Sequence, residues 1–309
     1  MRQKMAFVAE LLSLPIAVLQ EKANEQHYEL PFDFFRLVLG PRLKYSSGYW
    51  PRPGMTLAES EDAMLELYCE LAGLEDGMKV VDLGCGWGSV SLFVAERYPG
   101  CQVVSISNSS SQREFIVQTA ASRGLRNVTV FTGDIAVFDL PEEHRGTVDR
   151  VFSIEMFEHM KNYGLLLEKV SSWLRPEGKL FVHVFAHRTF PSHFKEGWMA
   201  ENFFGGGTLP SDDLLHFFQR HLQVEGRWVV DGTHYQRTQE AWLRVLDEKK
   251  TQVMPILERT YGESQALKWF VNWRLFFITC SEFFGLCDGQ EYIVSLYLFG
   301  KRGRQAGEA

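Results

Sequence analysis

Glu155, Glu158 and His159 stand at i, i+3 and i+4 in the run Ser153-Ile154-Glu155-Met156-Phe157-Glu158-His159. If the chain turns helical there, two acids and an imidazole share one face. Groups so close shift one another's protonation. Beside a reacting centre they are suited to take a proton or to stabilise a developing positive charge. The plain structural alternative is a solvated helix start with its acids set against the helix dipole, and spacing alone leaves both open.

A second stretch carries a different chemistry. Val80-Val81-Asp82-Leu83-Gly84-Cys85-Gly86-Trp87-Gly88 is an apolar strand run that ends in an acid and then in glycine at every second position, with a helical pattern from Ser89 to Arg97. A doubly wound α/β sheet holds nucleotide-like ligands at such a strand, tight turn and helix start. Glycine lets the backbone turn sharply and approach the ligand, and the free N–H groups of the helix start can hold an anionic group. A dinucleotide would call for a small third residue where Ser89 stands, and for an acid about 20 residues on. The next strand, Gln102 to Ser107, leads instead into Asn108-Ser109-Ser110-Ser111-Gln112. S-adenosylmethionine fits better. Gly84, Gly86 and Gly88 would shape its turn and Asp82 would orient its amine. Asn108 and Gln112 would bind ribose hydroxyls through neutral amides. Asp134, with Ile135 beside it after the strand Val128 to Phe131, would meet the adenine.

The elements that must position these residues follow from periodicity. Leu57 to Ala72 has apolar residues at helical spacing. Strand and helix then alternate through 80–83, 89–97, 102–107, 110–123, 128–131, Val148 to Ile154, Gly164 to Leu174 and Lys179 to Val184, with a turn at Arg175-Pro176-Glu177-Gly178. This alternation means right-handed crossovers and a mostly parallel sheet. Leu222 to Val230 and Tyr292 to Phe299 are two further strands, expected at the sheet edge. The expected fold class is α/β, a Rossmann-like, mostly parallel doubly wound sheet with an N-terminal helical segment and a helical cap insertion, which with an S-adenosylmethionine site would be a class I methyltransferase. Residues 1–60 are expected to form the helical segment and lid, 61–187 the cofactor-binding core, 188–290 an aromatic-rich cap with one strand, and 291–302 the final strand. Ala6 to Leu19 is expected to be an amphipathic helix packed on the body.

The 309 residues carry a formal charge of −7, which argues against nucleic acid or an anionic membrane as an obligate partner. The five cysteines lack metal-ligand spacing, so no metal is expected and the thiols are those of a reduced, cytoplasmic protein. No run is long and apolar enough to span a membrane. A monomer or homodimer acting on a small molecule is the expected form.

Four segments carry a resemblance. Tyr45-Ser46-Ser47-Gly48-Tyr49-Trp50, the Gly84–Gly88 turn, Phe157-Glu158-His159-Met160 and His234-Tyr235-x-x-Thr238-x-x-x-Trp242-Leu243 resemble the cyclopropane fatty acid synthase superfamily. Gln26-His27-Tyr28-Glu29-Leu30-Pro31, Ser153 to Asn162 and Asn272-Trp273-Arg274-x-Phe276 look closer to its coclaurine and pavine N-methyltransferase branch. The resemblance implies that Glu155, Glu158 and His159 contact the substrate amine and assist its deprotonation or stabilise the ammonium. It implies that Tyr28, Glu29, Trp273 and Phe276 line the amine pocket, and that Tyr45 and Ser46 contact the cofactor. The cyclopropane-forming branch holds a bicarbonate base through a Cys, a Glu, a His and a late Tyr. Here Ser47 replaces the Cys, Glu158 and His183 remain, and no Tyr occurs between Tyr261 and Tyr292, so the ligand set is incomplete.

Amine methylation suits these residues. An alkylamine with a pKa near 10.4 exposes its lone pair at pH 7 at a cost of about 4–5 kcal/mol, which a neighbouring base and desolvation reduce. Holding the reacting atoms in line contributes about 7–11 kcal/mol. Phe185, Phe203, Phe204, Trp273, Phe276 and Phe277 are candidates to surround the cation, at ~0.5–2 kcal/mol each, although rings of this kind are more often core. Taken singly, His183 and His187 read as structural. The expected activity is S-adenosylmethionine-dependent N-methylation of a small aromatic amine. The alternatives are a lipid C-methyltransferase or cyclopropane synthase, and a non-catalytic cofactor-binding protein.

Overall fold

Short runs rich in valine and phenylalanine make up one seven-stranded sheet in a computed structural model, which describes residues 1–18, 30–194 and 196–301. Strands β1 (Lys79–Leu83), β2 (Gln102–Ser107), β3 (Val128–Thr132), β4 (Val148–Ile154) and β5 (Leu174–His187) pair in parallel in the order 3-2-1-4-5. A small antiparallel ribbon, β6 (Ser192–His193) with β7 (Thr208–Leu209), follows. Strands β8 (Leu222–Val230) and β9 (Tyr292–Lys301) then complete the sheet antiparallel, with β9 between β5 and β8. The two late strands take the sheet edge as the alternation predicts. The expected turn at 175–178 falls inside β5 as a bulge, where the register passes from Leu174 opposite Val148 to Lys179 opposite Arg150.

Helices cover both faces, so the central strands are apolar on both sides. Val80, Phe152 and Phe181 point into one core, while Val81, Val151 and Leu180 point into the other. The first core is closed by the helices Leu57–Leu71, Gly232–Glu248, Lys250–Tyr261 and Glu263–Gly289. Thr56 and Glu59 start the first of these with a capping box, each side chain taking the other's backbone N–H. The second core is closed by Tyr163–Trp173, with the N-terminal helix Arg2–Ser13 packing Val8 and Leu11 against it. That N-terminal helix begins earlier than expected and stops before Pro15, whose ring cannot continue it. The chain beyond it meets the end of the run from Ser153 to Asn162. Lys161 N donates to Ile16 O at 2.7 Å, and Asn162 Nδ2 donates to Leu12 O at 2.9 Å and Leu14 O at 2.8 Å.

Strand order reverses between β1 and β4, with β2 and β3 to one side and β5 to the other. The crevice beyond the carboxyl ends of these two strands is where doubly wound sheets take ligands. The glycine turn leaves β1 and Glu155 leaves β4, so the topology brings together the two stretches that carry the chemistry. Among the described residues, no helix is long and apolar enough to cross a membrane.

Candidate active site

Each glycine of the first turn has a left-handed backbone, with φ of 80° at Gly84, 52° at Gly86 and 81° at Gly88. A Cβ at Gly84 would meet Met156, and one at Gly88 would meet Ile116. At Gly86 it would meet nothing within 4 Å, so this is the glycine that opens on free space. Asp82 at the strand end is buried, and its Oδ2 accepts from Ser91 N at 3.1 Å and Ser91 Oγ at 2.6 Å. Burial pushes its carboxyl up to about 6 against those two bonds.

The second turn is built around Glu155. Its φ is +48°, a conformation that L residues rarely adopt, and its N–H is fixed to His183 O at 2.9 Å. The carboxylate receives three donors. Ser47 N and His183 Nε2 reach Oε1, each at 3.0 Å, and Tyr235 Oη reaches Oε2 at 2.7 Å. The carboxylate can only accept, so His183 carries its proton on Nε2, and Nδ1 takes the Tyr68 hydroxyl at 2.6 Å. Burial works against the anion. The His183 hydrogen bond, the Lys44 cation and the Ser47 N–H outweigh it and hold the Glu155 carboxyl below its ordinary value. Burial also lowers His183, which stays neutral, and raises the phenols of Tyr68 and Tyr235, which stay donors.

Glu158 and His159 do not share a helical face with Glu155, contrary to the spacing argument. The left-handed step at Glu155 is followed by a single 3-10 turn, Phe157–His159, which separates the three. His159 lines the cavity beside Glu155, with its ring 4.8 Å from that of Phe204. Glu158 is fully buried and does not line the cavity. Its Oε1 accepts Phe185 N at 2.7 Å, and its Oε2 meets no hydrogen-bond partner among the described residues. Burial first, and then repulsion from Glu155, raise its carboxyl well above the ordinary range, so it is a neutral acid. Glu158→Ala strands the Phe185 N–H and should cost about 1–3 kcal/mol of folding stability, whereas Glu158→Gln keeps an acceptor. A raised folded pKa contributes stability that is full below the unfolded value of about 4.3 and is lost as pH rises toward the folded value. The untitratable Gln variant should therefore gain on the wild type as pH rises. Denaturation midpoints across pH check both points, and equal losses in the two variants would exclude this role.

The cavity has two lobes with Gly84, Gly86, Gln112, Glu155 and His159 in the wall of each. The smaller, about 120 Å³, adds Leu83, Ile106, Asn108, Gly133, Ile135 and Met160. The larger, about 370 Å³, adds Tyr45, Ser46 and Asp82 at one end and a ring-lined chamber of Phe185, Phe194, Phe204, Tyr235, Trp242, Phe276 and Tyr292. The smaller lobe offers apolar walls for a base and the Asn108 and Gln112 amides for hydroxyls, although Gln112 Oε1 also accepts Ser107 Oγ at 2.7 Å. Asp82 and Ser46 lie across the open side of Gly86. These residues fit an adenosine and an amino-acid end, and hence S-adenosylmethionine.

Several expected positions fall elsewhere. Asp134 is not in the wall of either lobe. Its Oδ1 accepts Ala136 N at 2.7 Å and shapes the turn after β3, which leaves Gly133 and Ile135 on the wall. Gly88 caps the helix Ser89–Arg97 behind the wall. Trp273 is buried one layer back, 5.6 Å from Phe276 and against Phe34, Phe203 and Phe277, so only Phe276 of that pair lines the chamber. Phe203 and Phe277 are core as well. Tyr28 and Glu29 lie outside the described residues. His187 is structural, bonding Glu291 Oε1 at 2.9 Å and the N–H groups of Thr189 and Phe190.

Sequence reasoning missed Tyr235, Tyr68 and Lys44, and it undervalued His183. No tyrosine stands between Tyr261 and Tyr292, and the hydroxyl comes from Tyr235 on the helix Gly232–Glu248. One available signal was the pairing of two quoted segments. Trp50 N donates to His234 Nδ1 at 2.8 Å, and Gly48 N donates to Thr238 Oγ1 at 3.0 Å, so the tyrosine-serine loop and the His234–Leu243 helix are one unit at this site. Donors that the resemblance assigns to a bicarbonate converge here on a carboxylate of the chain itself.

Comparison with known proteins identifies the family. The mycolic acid cyclopropane synthetase family model matches residues 18–289. A curated (S)-coclaurine N-methyltransferase of Thalictrum flavum subsp. glaucum is 39% identical over 94% of this chain and 82% of its own. Cyclopropane mycolic acid synthase 3 of Mycobacterium tuberculosis (strain ATCC 25618 / H37Rv) is 31% identical over 76% of this chain and 85% of its own. The crystal structure of a coclaurine N-methyltransferase bound to N-methylheliamine and SAH superposes with a TM-score of 0.92 at 38% identity, covering 96% of this chain and 87% of that one. The chain belongs to the mycolic acid cyclopropane synthetase family, uses S-adenosylmethionine, and is more similar to these N-methyltransferases than to that cyclopropane synthase.

Proposed function

We propose that this enzyme, an S-adenosylmethionine-dependent N-methyltransferase, acts on a small aromatic amine, with Glu155 as a fixed anion and His159 as the proton acceptor. The observation that carries this reading is the Glu155 carboxylate, held by three donors in the wall shared by the cofactor lobe and the aromatic chamber. A carboxylate so bonded is a weak base and a strong electrostatic partner. His159, in the same wall beside Glu155, carries an imidazole, the side chain whose chemistry suits it to take a proton from the amine. Phe185, Phe204 and Phe276 exclude water and offer ring faces to a cation. Glu158 supports the turn that carries His159. Tyr45, Ser46, Asp82, Asn108, Gln112 and Ile135 would hold S-adenosylmethionine, which supplies the methyl group from its sulfonium. Relatives named for coclaurine and pavine support an amine acceptor. On this reading the enzyme works in the cytoplasm as a monomer or homodimer, without nucleic acid or an obligate membrane.

The test is a transfer assay with methyl-labelled S-adenosylmethionine against a panel of primary, secondary and tertiary amines, with phospholipid vesicles as a parallel acceptor. Label should appear on bicyclic or benzylic amines and not in lipid. Label in lipid alone would overturn the reading.

A further inference from the structure

Behind Glu155 lies a closed ring of contacts that begins and ends at Lys44. The Lys44 side chain is 1% exposed, and its Nζ donates to Ser46 Oγ at 2.6 Å and Ser47 O at 2.7 Å. Ser47 N in turn reaches Glu155 Oε1 at 3.0 Å. On the other side, Nζ stands 5.2 Å from the centre of the Tyr68 ring. Tyr68 Oη bonds His183 Nδ1 at 2.6 Å, and His183 Nε2 bonds the same Glu155 oxygen at 3.0 Å. Lys44 does not line either lobe, so it serves neither the cofactor nor the acceptor directly.

An ammonium buried against two neutral oxygens and a ring is costly unless a charge answers it. Two carboxylates face Lys44. Glu61 accepts Arg42 N at 2.8 Å and Lys44 N at 3.4 Å, so it bonds the backbone of that loop rather than the ammonium. Glu155 is the other, reached through the two arms of the ring. Facing Glu155 in turn are Lys44, His183, Tyr68, Tyr235, Glu158 and Cys280, with His159 beside it on the cavity wall; of the groups behind the wall, Lys44 is the cation. Burial brings the Lys44 ammonium down to about 8 and Glu61 up to about 7, so near neutral pH the ammonium remains the prevailing form.

We propose that Lys44 is a positioning residue for methyl transfer, the buried counter-ion that keeps Glu155 an anion through the Ser47 peptide and the Tyr68–His183 pair. The proposal rests on the reading of Glu155 as the anion that faces the acceptor cation. Without the Lys44 charge, Glu155 takes up a proton at higher pH, and the chamber loses its preference for a cation.

Binding of benzyltrimethylammonium, whose charge does not titrate, tests this without turnover. It is titrated calorimetrically from acidic to mildly alkaline pH into enzyme carrying His159→Ala, which removes the wall imidazole, with Lys44 retained as the wild type at that position or replaced as Lys44→Met or Lys44→Gln. With Lys44 retained, affinity should fall on acidification as Glu155 takes a proton. In both variants the midpoint of that fall should move up by about one pH unit or more, making binding on the order of tenfold weaker between the two midpoints. Gln keeps a donor for Ser46 and Ser47 whereas Met does not, so an equal shift in variants of unequal thermal stability marks the charge as the cause. Glu61→Gln removes the other facing carboxylate and should not raise the midpoint. Variant midpoints that coincide with that of the enzyme retaining Lys44, whatever their thermal stability, would overturn the proposal. Binding that does not change with pH when Lys44 is retained would instead overturn the reading of Glu155.

Discussion

Glu155→Gln should lower kcat by about 10²–10³-fold, equivalent to roughly 3–4 kcal/mol of lost electrostatic stabilisation, while cofactor affinity changes little. The substitution separates charge from shape. Ser47 N–H and His183 Nε2–H both point at Oε1, which an amide oxygen replaces without loss. Tyr235 points at Oε2, where the amide presents N–H₂; a hydroxyl can turn and accept from it. The fold and the hydrogen-bond count survive, and only the negative charge is gone. Glu155→Ala is the poorer test. It leaves three buried donors without an acceptor, and it keeps an ordinary residue at a φ of +48°. Single-turnover rates with saturating cofactor, beside calorimetric cofactor affinity, would decide. Turnover close to the wild type would remove Glu155 from the mechanism.

His159→Ala should cost about 10²–10⁴-fold in kcat/KM near neutral pH, the usual worth of a positioned base. The sign of its pH dependence is diagnostic. The wild type supplies an acceptor for the amine proton, so it works on the ammonium form. The variant depends on amine that has already lost its proton in solution, a fraction that rises tenfold per pH unit up to the amine's own pKa of about 10. The two profiles should therefore converge as pH rises. His159 packs on Phe204 at the cavity wall and not in the core, so folding should be nearly unaffected. Parallel profiles would mean that His159 shapes the chamber and takes no proton.

The sheet was legible because its signal is local. Valine runs ending in polar turns give β1, β2 and β4, and the glycines after β1 sit at backbone angles that favour glycine. Residue type also pointed to Glu155 and His159. The role of Glu158 was not legible, because the helical-face argument assumes right-handed backbone at 155 and a carboxylate cage holds that residue left-handed. Tyr68, Lys44 and Tyr235 carry no local mark. They matter only because chain segments far apart in sequence close on one oxygen pair. Trp273 and Phe276 look equivalent on one helix, yet a small difference in angle puts one on the cavity and the other in the core. Asp134 ends a strand as a ligand-binding acid would, but the nearer Ala136 N–H claims it.

The wall shared by the two lobes has a consequence in charge arithmetic. Among the described residues, Glu155 is the one carboxylate that lines both. Methylation of a neutral amine moves a single positive charge from sulfur to nitrogen and creates none. A carboxylate that looks into both lobes faces one unit of positive charge before transfer and one after, so its own counterbalance need not change as the bond exchanges. An acceptor that arrived still protonated beside a bound sulfonium would present two positive charges to that one anion. Charge at Glu155 is therefore matched one for one only when the acceptor proton has left the cavity, before binding or onward from His159. Occupancy of the cofactor lobe itself favours the reactive form of the amine, and a neutral thioether left behind restores the balance only when the methylated cation remains or a proton replaces it.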